Sequence, residues 1–293
     1  MGALDGRVVA ITGAGRGIGR EHALLFGQEG AKVVVNDLGG APDGSGSDVS
    51  AAQAVVDEIT AAGGEASANG DDVSTWDGAE RLVAQAVEAF GRLDVLVNNA
   101  GILRDAFITG MSESDWDDVL RVHLKGHFNC LRHAAAHWRE RTKAGEVVKA
   151  AVINTASGSG TYLPNAGQVN YGAAKAGIAA LSLVAAQELE RYGVRVNAIA
   201  PVARTRLTED VPMVGEIVKA PDDPDAFDPF HPRNVSPLVA YLATEDCTIT
   251  GKLFMVQGGM IAECRGWEVG DGISTDGPWK IEEIAGELAG APV

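Results

Sequence analysis

An apolar run, Val8-Val9-Ala10-Ile11, leads directly into Thr12-Gly13-Ala14-Gly15-Arg16-Gly17-Ile18-Gly19, after which the chain takes up helical spacing. This succession of strand, glycine-dense turn and helix constrains the fold more than any other feature. A side chain in such a turn would hold the backbone away from a pyrophosphate, whereas glycine lets bare N–H groups and the positive end of the helix dipole meet the anion. The segment therefore reads as the phosphate turn of a βαβ unit.

The rest of the chain repeats that rhythm. Arg7 to Thr12, Lys32 to Asp37, Val95 to Asn98, Ala151 to Thr155 and Arg195 to Ile199 read as buried strands, with Glu65 to Asn69 and Lys252 to Val256 as weaker ones. Between them, Gly17 to Gln28, Ser50 to Ala62, Trp76 to Phe90, Asp115 to Arg139 and Gln168 to Arg191 carry apolar residues at helical spacing, and Gly63, Gly91 and Gly193 stand where C-caps belong. Alternating strands and helices predict an α/β fold: a single Rossmann-like domain, doubly wound, its parallel sheet covered by helices on both faces. We expect this domain over residues 1–262. Within it, residues 201–237, with Pro212, Pro221, Pro224, Pro229 and Pro232, form a mobile substrate loop over the carboxyl edge of the sheet. Residues 263–293 form an extension that docks through Trp267 and Trp279.

Charge and cysteine usage exclude several classes of function. With 24 basic against 40 acidic residues the net charge is -16, which disfavours nucleic acid and anionic membrane surfaces as partners. Asp5 and Arg7 interrupt what would be a signal core, and no stretch nears the ~18 uncharged apolar residues of a membrane span, so the expectation is a soluble, cytoplasmic protein. Cys130, Cys247 and Cys264 lack the spacing of a disulfide framework or a metal site, and no metal is expected.

Asp37 ends the second strand at the offset where a carboxylate accepts hydrogen bonds from the adenosine ribose. The same carboxylate repels a 2'-phosphate, so the cofactor is expected to be NAD in preference to NADP. Arg16 is the opposing feature, because a guanidinium in the turn can pair with that phosphate.

Tyr171 and Lys175 stand four apart in a helical stretch, on one face and one turn apart. Free tyrosine titrates near ~10, so a phenol acting near neutral pH needs a displacement of about 3 units, or ~4 kcal/mol. One positive charge at ~4 Å with an effective dielectric of ~20 supplies ~4 kcal/mol. The expectation is a phenol made acidic by a neighbouring ammonium. Ser157, at the end of the strand Ala151 to Thr155, is placed to donate to a substrate oxygen, with Ser159 as competitor.

These residues together resemble the short-chain dehydrogenase/reductase family, whose members carry TGxxxGxG, NNAG and a Ser, Tyr, Lys set. Gly13, Gly17 and Gly19 match the first motif, Asn98-Asn99-Ala100-Gly101 the second, and Ser157, Tyr171 and Lys175 the third. The resemblance implies dinucleotide contacts from Gly13, Arg16, Gly17, Ile18, Gly19 and Asp37, from Asp72 and Val73 at the adenine, and from Asn98, Ala100 and Gly101. It implies further contacts from Tyr171 and Lys175, and from Pro201 and Thr205 at the nicotinamide. Within the family the words VVVNDLGG, NNAGILRD, VHLKG and GQVNY are most similar to the (3R)-hydroxyacyl-CoA dehydrogenase branch, which includes hydroxysteroid dehydrogenases. His123 stands where many members have asparagine, and is either a relay participant or a helix histidine satisfied by a carbonyl.

The implied reaction is reversible hydride transfer between a secondary alcohol and a ketone, on a 3-hydroxyacyl-CoA or steroid-like substrate. Leu207, Val211, Met213, Val214, Phe227 and Phe230 are candidate pocket lining. Arg204, Arg206, Arg139, Arg141, Lys143 and Lys149 are candidate counter-charges for CoA phosphates. An NADPH-dependent 3-oxoacyl-carrier-protein reductase and a non-catalytic nucleotide-binding sensor are the alternatives. The family further implies a homodimer or homotetramer built on the helices Asp115 to Arg139 and Gln168 to Arg191.

Overall fold

Eight strands make one sheet in the order β3-β2-β1-β4-β5-β6-β7-β8, as described in a computed structural model. The structure describes residues 2–205, 215, 218–223, 226–266, 268–270 and 272–289. The strands are β1 (Val8–Thr12), β2 (Lys32–Asn36), β3 (Glu65–Asn69), β4 (Val95–Asn98), β5 (Ala150–Thr155), β6 (Val194–Pro201), β7 (Leu253–Gln257) and β8 (Met260–Cys264). All neighbours run parallel except β7 and β8, which form a hairpin through Gly258 and Gly259.

The central strands are apolar throughout because helices cover both faces, and their residues divide by the two-residue strand period. Val9, Ile11, Val33, Val35, Val95, Val97 and Ile153 join Phe26 and Leu238 in one core. Val8, Ala10, Val34, Leu96 and Val152 join Leu82, Leu93 and Trp138 in the other. Trp138 is fully buried and donates its indole N–H to the Leu93 carbonyl at 2.7 Å, so its large ring enters the core without an orphan donor.

The helices α1 (Gly17–Gln28), α2 (Ser50–Ala61) and α3 (Trp76–Phe90) lie close to their expected spans. Thr75 caps α3 by accepting from Gly78 N–H, and Gly91 ends it at φ 82°. The long helix expected from Asp115 to Arg139 is instead two. A capping box of Ser112 and Asp115 starts α4 (Glu113–Leu120), a π turn occupies Arg121–Lys125, and α5 (Gly126–Lys143) follows. Apolar periodicity carries through one wide turn almost unchanged, which is why the sequence reads as continuous. Next comes α6 (Val169–Leu189). Together with the turn that follows, Val169–Tyr192 is long and apolar enough to cross a membrane by length and composition, although Lys175 interrupts its apolar run. It packs on β6 and buries Lys175 and Ser182, as a core helix does.

The expected loop over 201–237 ends early, because Pro232–Val235 form a 3-10 turn and α7 (Ser236–Ala243) begins with Pro237 in its first turn, where a missing N–H costs nothing. Arg204 pairs with Asp228 and donates to the Val218 carbonyl, fastening the described parts of this segment together. Leu207, Val211, Met213, Val214, Arg206, Pro212, Pro224 and Trp267 lie outside the described residues. Beyond β8 the described residues include α8 (Ile281–Ala289). Trp279 is partly covered.

Because β1 pairs with both β2 and β4, the chain winds outward in opposite directions from β1, and a crevice opens at the carboxyl ends there.

Candidate active site

A cavity of about 320 Å³ fills that crevice. At one end stand Gly13, Arg16, Gly17, Ile18, Asp37, Asp72 and Val73. At the other stand Ser157, Tyr171, Lys175 and Pro201, with Ala100, Gly101 and His123 between; Thr205 also lines the cavity but lies beside Gly17, its Cγ2 3.6 Å from where a Cβ there would be. Gly19 and Asn98 are not on the lining. A Cβ on Gly19 would meet the Gly13 carbonyl oxygen at 2.1 Å, so this glycine lets α1 pack against the turn. Asn98 is buried beneath the cavity and donates to Asn154 Oδ1 at 2.9 Å, joining β4 to β5.

The glycine turn is a cradle that a side chain would fill. Gly13 has φ 63°, and a Cβ there would meet the Ala100 Cα at 2.8 Å; Gly17 has φ 55°. No side chain caps the first turn of α1. Those features fit an anion of the pyrophosphate kind. Thr12, which the sequence reading passed over, holds the cradle to the next loop: its Oγ1 accepts from the Asn99 and Ala100 N–H groups at 2.9 and 3.1 Å. Asn99 returns two bonds to the carbonyls of Thr12 and Gly13. The Asp37 carboxylate accepts from Gly15 N–H with one oxygen and Gly39 N–H with the other, each at 2.7 Å. Arg16 does not pair with Asp37. Its guanidinium donates to the Gly40 carbonyl at 3.3 Å.

At the opposite end, α6 carries Tyr171 and Lys175 on one face, with the ammonium nitrogen 5.5 Å from the phenol ring centre. Lys175 is 2% exposed and donates to the Thr155 carbonyl at 2.6 Å. Ser157 lines the cavity together with Tyr171, and its hydroxyl accepts from Ser159 N–H at 3.2 Å. Ser159 instead donates its own hydroxyl to Gln168 Oε1 at 3.0 Å and is not on the lining. The position of Ser157 relative to Ser159 thus follows from a single 3-10 turn, Gly158–Gly160. Asn170, fully buried, ties the start of α6 to the Arg104 and Asp115 carbonyls at 2.9 and 3.0 Å, fixing the tyrosine's approach. The adjacent residue in the Asn-Tyr pair was the only signal for it.

Electrostatics here depart from expectation. Burial raises the Tyr171 hydroxyl above its ordinary value, helped by the Asp105 carboxylate and opposed by Ser157. Burial also brings Lys175 down to about 7. The phenol is therefore not made acidic by its surroundings, because its own burial outweighs the opposing effect of Ser157.

His123 is 1% exposed and sits in the π turn with its ring edge-on to Tyr171, centroids 5.2 Å apart. Its Nε2 lies 2.8 Å from the Ile102 carbonyl and 3.1 Å from the Ile102 N–H, while Nδ1 is buried without a partner. Burial and nearby Lys175 keep the ring neutral, its pKa well below the usual histidine value. Of the two sequence readings for His123, the carbonyl contact is present, and the ring additionally touches the tyrosine.

Among the described residues the candidate counter-charges are already paired: Arg139 and Lys143 with Glu140, Arg141 with Glu146, Lys149 with Glu245, and Arg204 with Asp228. Phe230 lies beside this last pair and Phe227 is exposed.

Comparison with known proteins agrees with this geometry. The sequence is 42% identical over 294 residues to a hydroxyacyl-CoA dehydrogenase of Mycobacterium tuberculosis, covering 97% of this chain and 88% of that one. It is 46% identical over 265 residues to the peroxisomal multifunctional enzyme type 2 of Drosophila melanogaster, covering 87% of this chain but only 41% of the enzyme. A 3-oxoacyl-[acyl-carrier-protein] reductase of Synechocystis sp. is 38% identical over 267 residues, 89% of this chain and 99% of the reductase. The crystal structure of a short chain dehydrogenase from Mycobacterium avium superposes with a TM-score of 0.87 at 53% identity, over 98% of this chain and 95% of that one. The sequence model for the short chain dehydrogenases matches residues 7–212. With the glycine cradle at one end of the crevice and the Ser, Tyr and Lys side chains at the other, the chain belongs to the short-chain dehydrogenase family and is an NAD(P)-type oxidoreductase.

Proposed function

We propose that this protein is an NAD-dependent dehydrogenase that interconverts a secondary alcohol and a ketone on 3-hydroxyacyl-CoA or hydroxysteroid-type substrates. The observation that carries the reading is one cavity lined by Asp37 at the ribose end and by Ser157, Tyr171 and Lys175 at the other. Asp37 stays where a 2'-phosphate would sit, held by two N–H groups, and that favours NAD. The relatives named as hydroxyacyl-CoA dehydrogenase and multifunctional enzyme support the substrate class.

In this reading Gly13, Gly17, Ile18 and Asp37 hold the dinucleotide's phosphate and ribose, Asp72 and Val73 its adenine, and Pro201 its nicotinamide end. When bound, the nicotinamide supplies the hydride acceptor and a positive charge. Ser157 holds the substrate oxygen, and Tyr171 moves the proton at that oxygen. Lys175 orients the ribose and lends its charge to the phenol once the nicotinamide side of the cavity is filled and water is excluded. His123 fixes the tyrosine ring from its edge. The exposed apolar residues Phe128, Leu183 and Val184 on α5 and α6 support a homodimer or homotetramer.

NADH production should follow from a panel of (3R)-hydroxyacyl-CoAs and hydroxysteroids; silence across both classes would remove the proposal. Tyr171→Phe should lower turnover at least ~100-fold while leaving dinucleotide binding intact, and unchanged turnover would refute the role given to it. The Synechocystis relative favours a second reading, an NADPH-dependent 3-oxoacyl-carrier-protein reductase. The ratio of NADPH to NADH rates separates the two.

A further inference from the structure

Between β2 and α2 the chain runs Leu38-Gly39-Gly40-Ala41-Pro42-Asp43-Gly44-Ser45-Gly46-Ser47-Asp48, a segment that the phosphate turn and the catalytic set do not account for. Its neck is closed by Asp48 N–H donating to the Leu38 carbonyl at 2.9 Å, with Gly39 at φ 76°. Gly39 needs that conformation and its lack of a side chain, since a Cβ would meet the Asp48 carbonyl oxygen at 1.9 Å. Its tip is a compact turn, Ala41 N–H to Ser45 O at 2.8 Å and Gly44 N–H to Ala41 O at 2.9 Å.

Three ties hold the segment across the crevice. Gly39 N–H donates to the Asp37 carboxylate, whose other oxygen holds the glycine turn. Arg16, in that turn, donates to the Gly40 carbonyl. On the far side Leu103 N–H donates to the Pro42 carbonyl at 3.1 Å, and Gly44 packs so tightly on the Ile102 side chain that a Cβ would lie 3.1 Å from its Cγ2. Leu103 belongs to the loop after β4, whereas Leu38 follows β2, and the sheet order sets β1 between them. A segment fastened at both places passes over the end of β1 and its phosphate turn. Leu38, Gly40, Ala41, Pro42 and Gly44 line the same cavity as Gly13 and Asp37.

We propose that residues 38–48 are a latched cover over the phosphate and adenosine end of the cleft, so that a dinucleotide enters and leaves only when the Pro42 to Leu103 clasp opens. This rests on the dinucleotide-binding reading above. The cover is backbone-walled and glycine-rich, so it closes around a ligand without presenting bulky side chains. Its outer side is held by one backbone hydrogen bond, one small packing contact and the solvent-screened attraction of Asp43 to Arg104, a latch weak enough to open at the rate of ordinary loop motion. The exchange rate of the cofactor is therefore a property of this segment, distinct from the affinity set by the phosphate turn.

The test is the full-length double variant Pro42→Cys with Leu103→Cys, compared with itself oxidised and reduced. NADH release is followed by loss of its fluorescence on mixing with excess NAD. With the disulfide verified by mass, release should be about tenfold or more slower in the oxidised form and recover on reduction. Equal rates in the two forms overturn the proposal. A second variant, in which residues 40–47 are replaced by a short Gly-Ser link, should release NADH about tenfold faster than the native protein, and an unchanged rate likewise overturns it. Native protein that binds neither NADH nor NADPH would overturn the dinucleotide reading and this proposal together, whereas binding with unaltered exchange overturns this proposal alone.

Discussion

Replacing Lys175 by methionine should stabilise the protein in a way that depends on pH. The ammonium is 2% exposed, and burial is the cause that brings its pKa from 10.5 to about 7. Its hydrogen bond to the Thr155 carbonyl does not offset the lost hydration. Between about 7 and 10.5 the unfolded chain binds a proton at this site that the native protein does not, so native stability rises with pH there, by about 1.4 kcal/mol per unit. Across the whole window that is about 5 kcal/mol, present above 10.5 and lost as pH falls through 7. Methionine matches the stem in length and shape, carries no charge and titrates nowhere. The advantage of Lys175→Met over the native protein should therefore be greatest at pH 6 and shrink by about 3 kcal/mol between pH 7 and 9. Urea unfolding of both proteins at unit pH steps measures this difference, and taking the difference cancels every other titrating group. A difference that stays constant with pH would refute the reasoning, because it would mean that the native ammonium keeps its hydration.

Asp37→Ala should shift cofactor preference away from NADH. It should also cost about 2 kcal/mol in urea unfolding, because Gly15 and Gly39 both lose a charged acceptor; a change in preference with no loss of stability would show that the two hydrogen bonds are dispensable. Gly101→Ala places a Cβ 2.2 Å from His123 Cε1 and must displace the ring that abuts Tyr171; we expect at least a ~10-fold fall in turnover with dinucleotide affinity retained, read by steady-state rates beside a binding titration. His22 and His127 are buried neutral with pKa values near 3, so the unfolded chain binds protons that the native one refuses between 6.5 and 3. Stability should accordingly fall with acid at about 1.4 kcal/mol per pH unit for each histidine, and His22→Asn should flatten that slope in acid titration of the urea midpoint.

Local chemistry made much of this molecule legible. The glycine turn is dictated by what a phosphate needs from a backbone, and the alternation of apolar runs by what a sheet covered on both faces must bury, so Val95–Asn98, Gly17–Gln28 and Trp76–Phe90 lie where they were expected. Tyr171 and Lys175 were legible because their four-residue spacing is itself a distance on a helix. The π turn at Arg121–Lys125 was not, since one wide turn changes which side chain faces inward without disturbing the apolar pattern.

The sequence alone determined the class of the fold, the glycine turn and which side chains are the candidates for the reaction, because each depends on residue type and on separation along the chain. Only the tertiary structure decided that Ser157 rather than Ser159 lines the cavity with Tyr171, that Asn98 and Gly19 back the cavity instead of lining it, and that Leu38, Gly40, Ala41, Pro42 and Gly44 line its near end. It also decided the directions in which burial moves this pair, the Tyr171 hydroxyl up and the Lys175 ammonium down. Desolvation is set by everything that packs around a group, and no spacing along the chain encodes that sum.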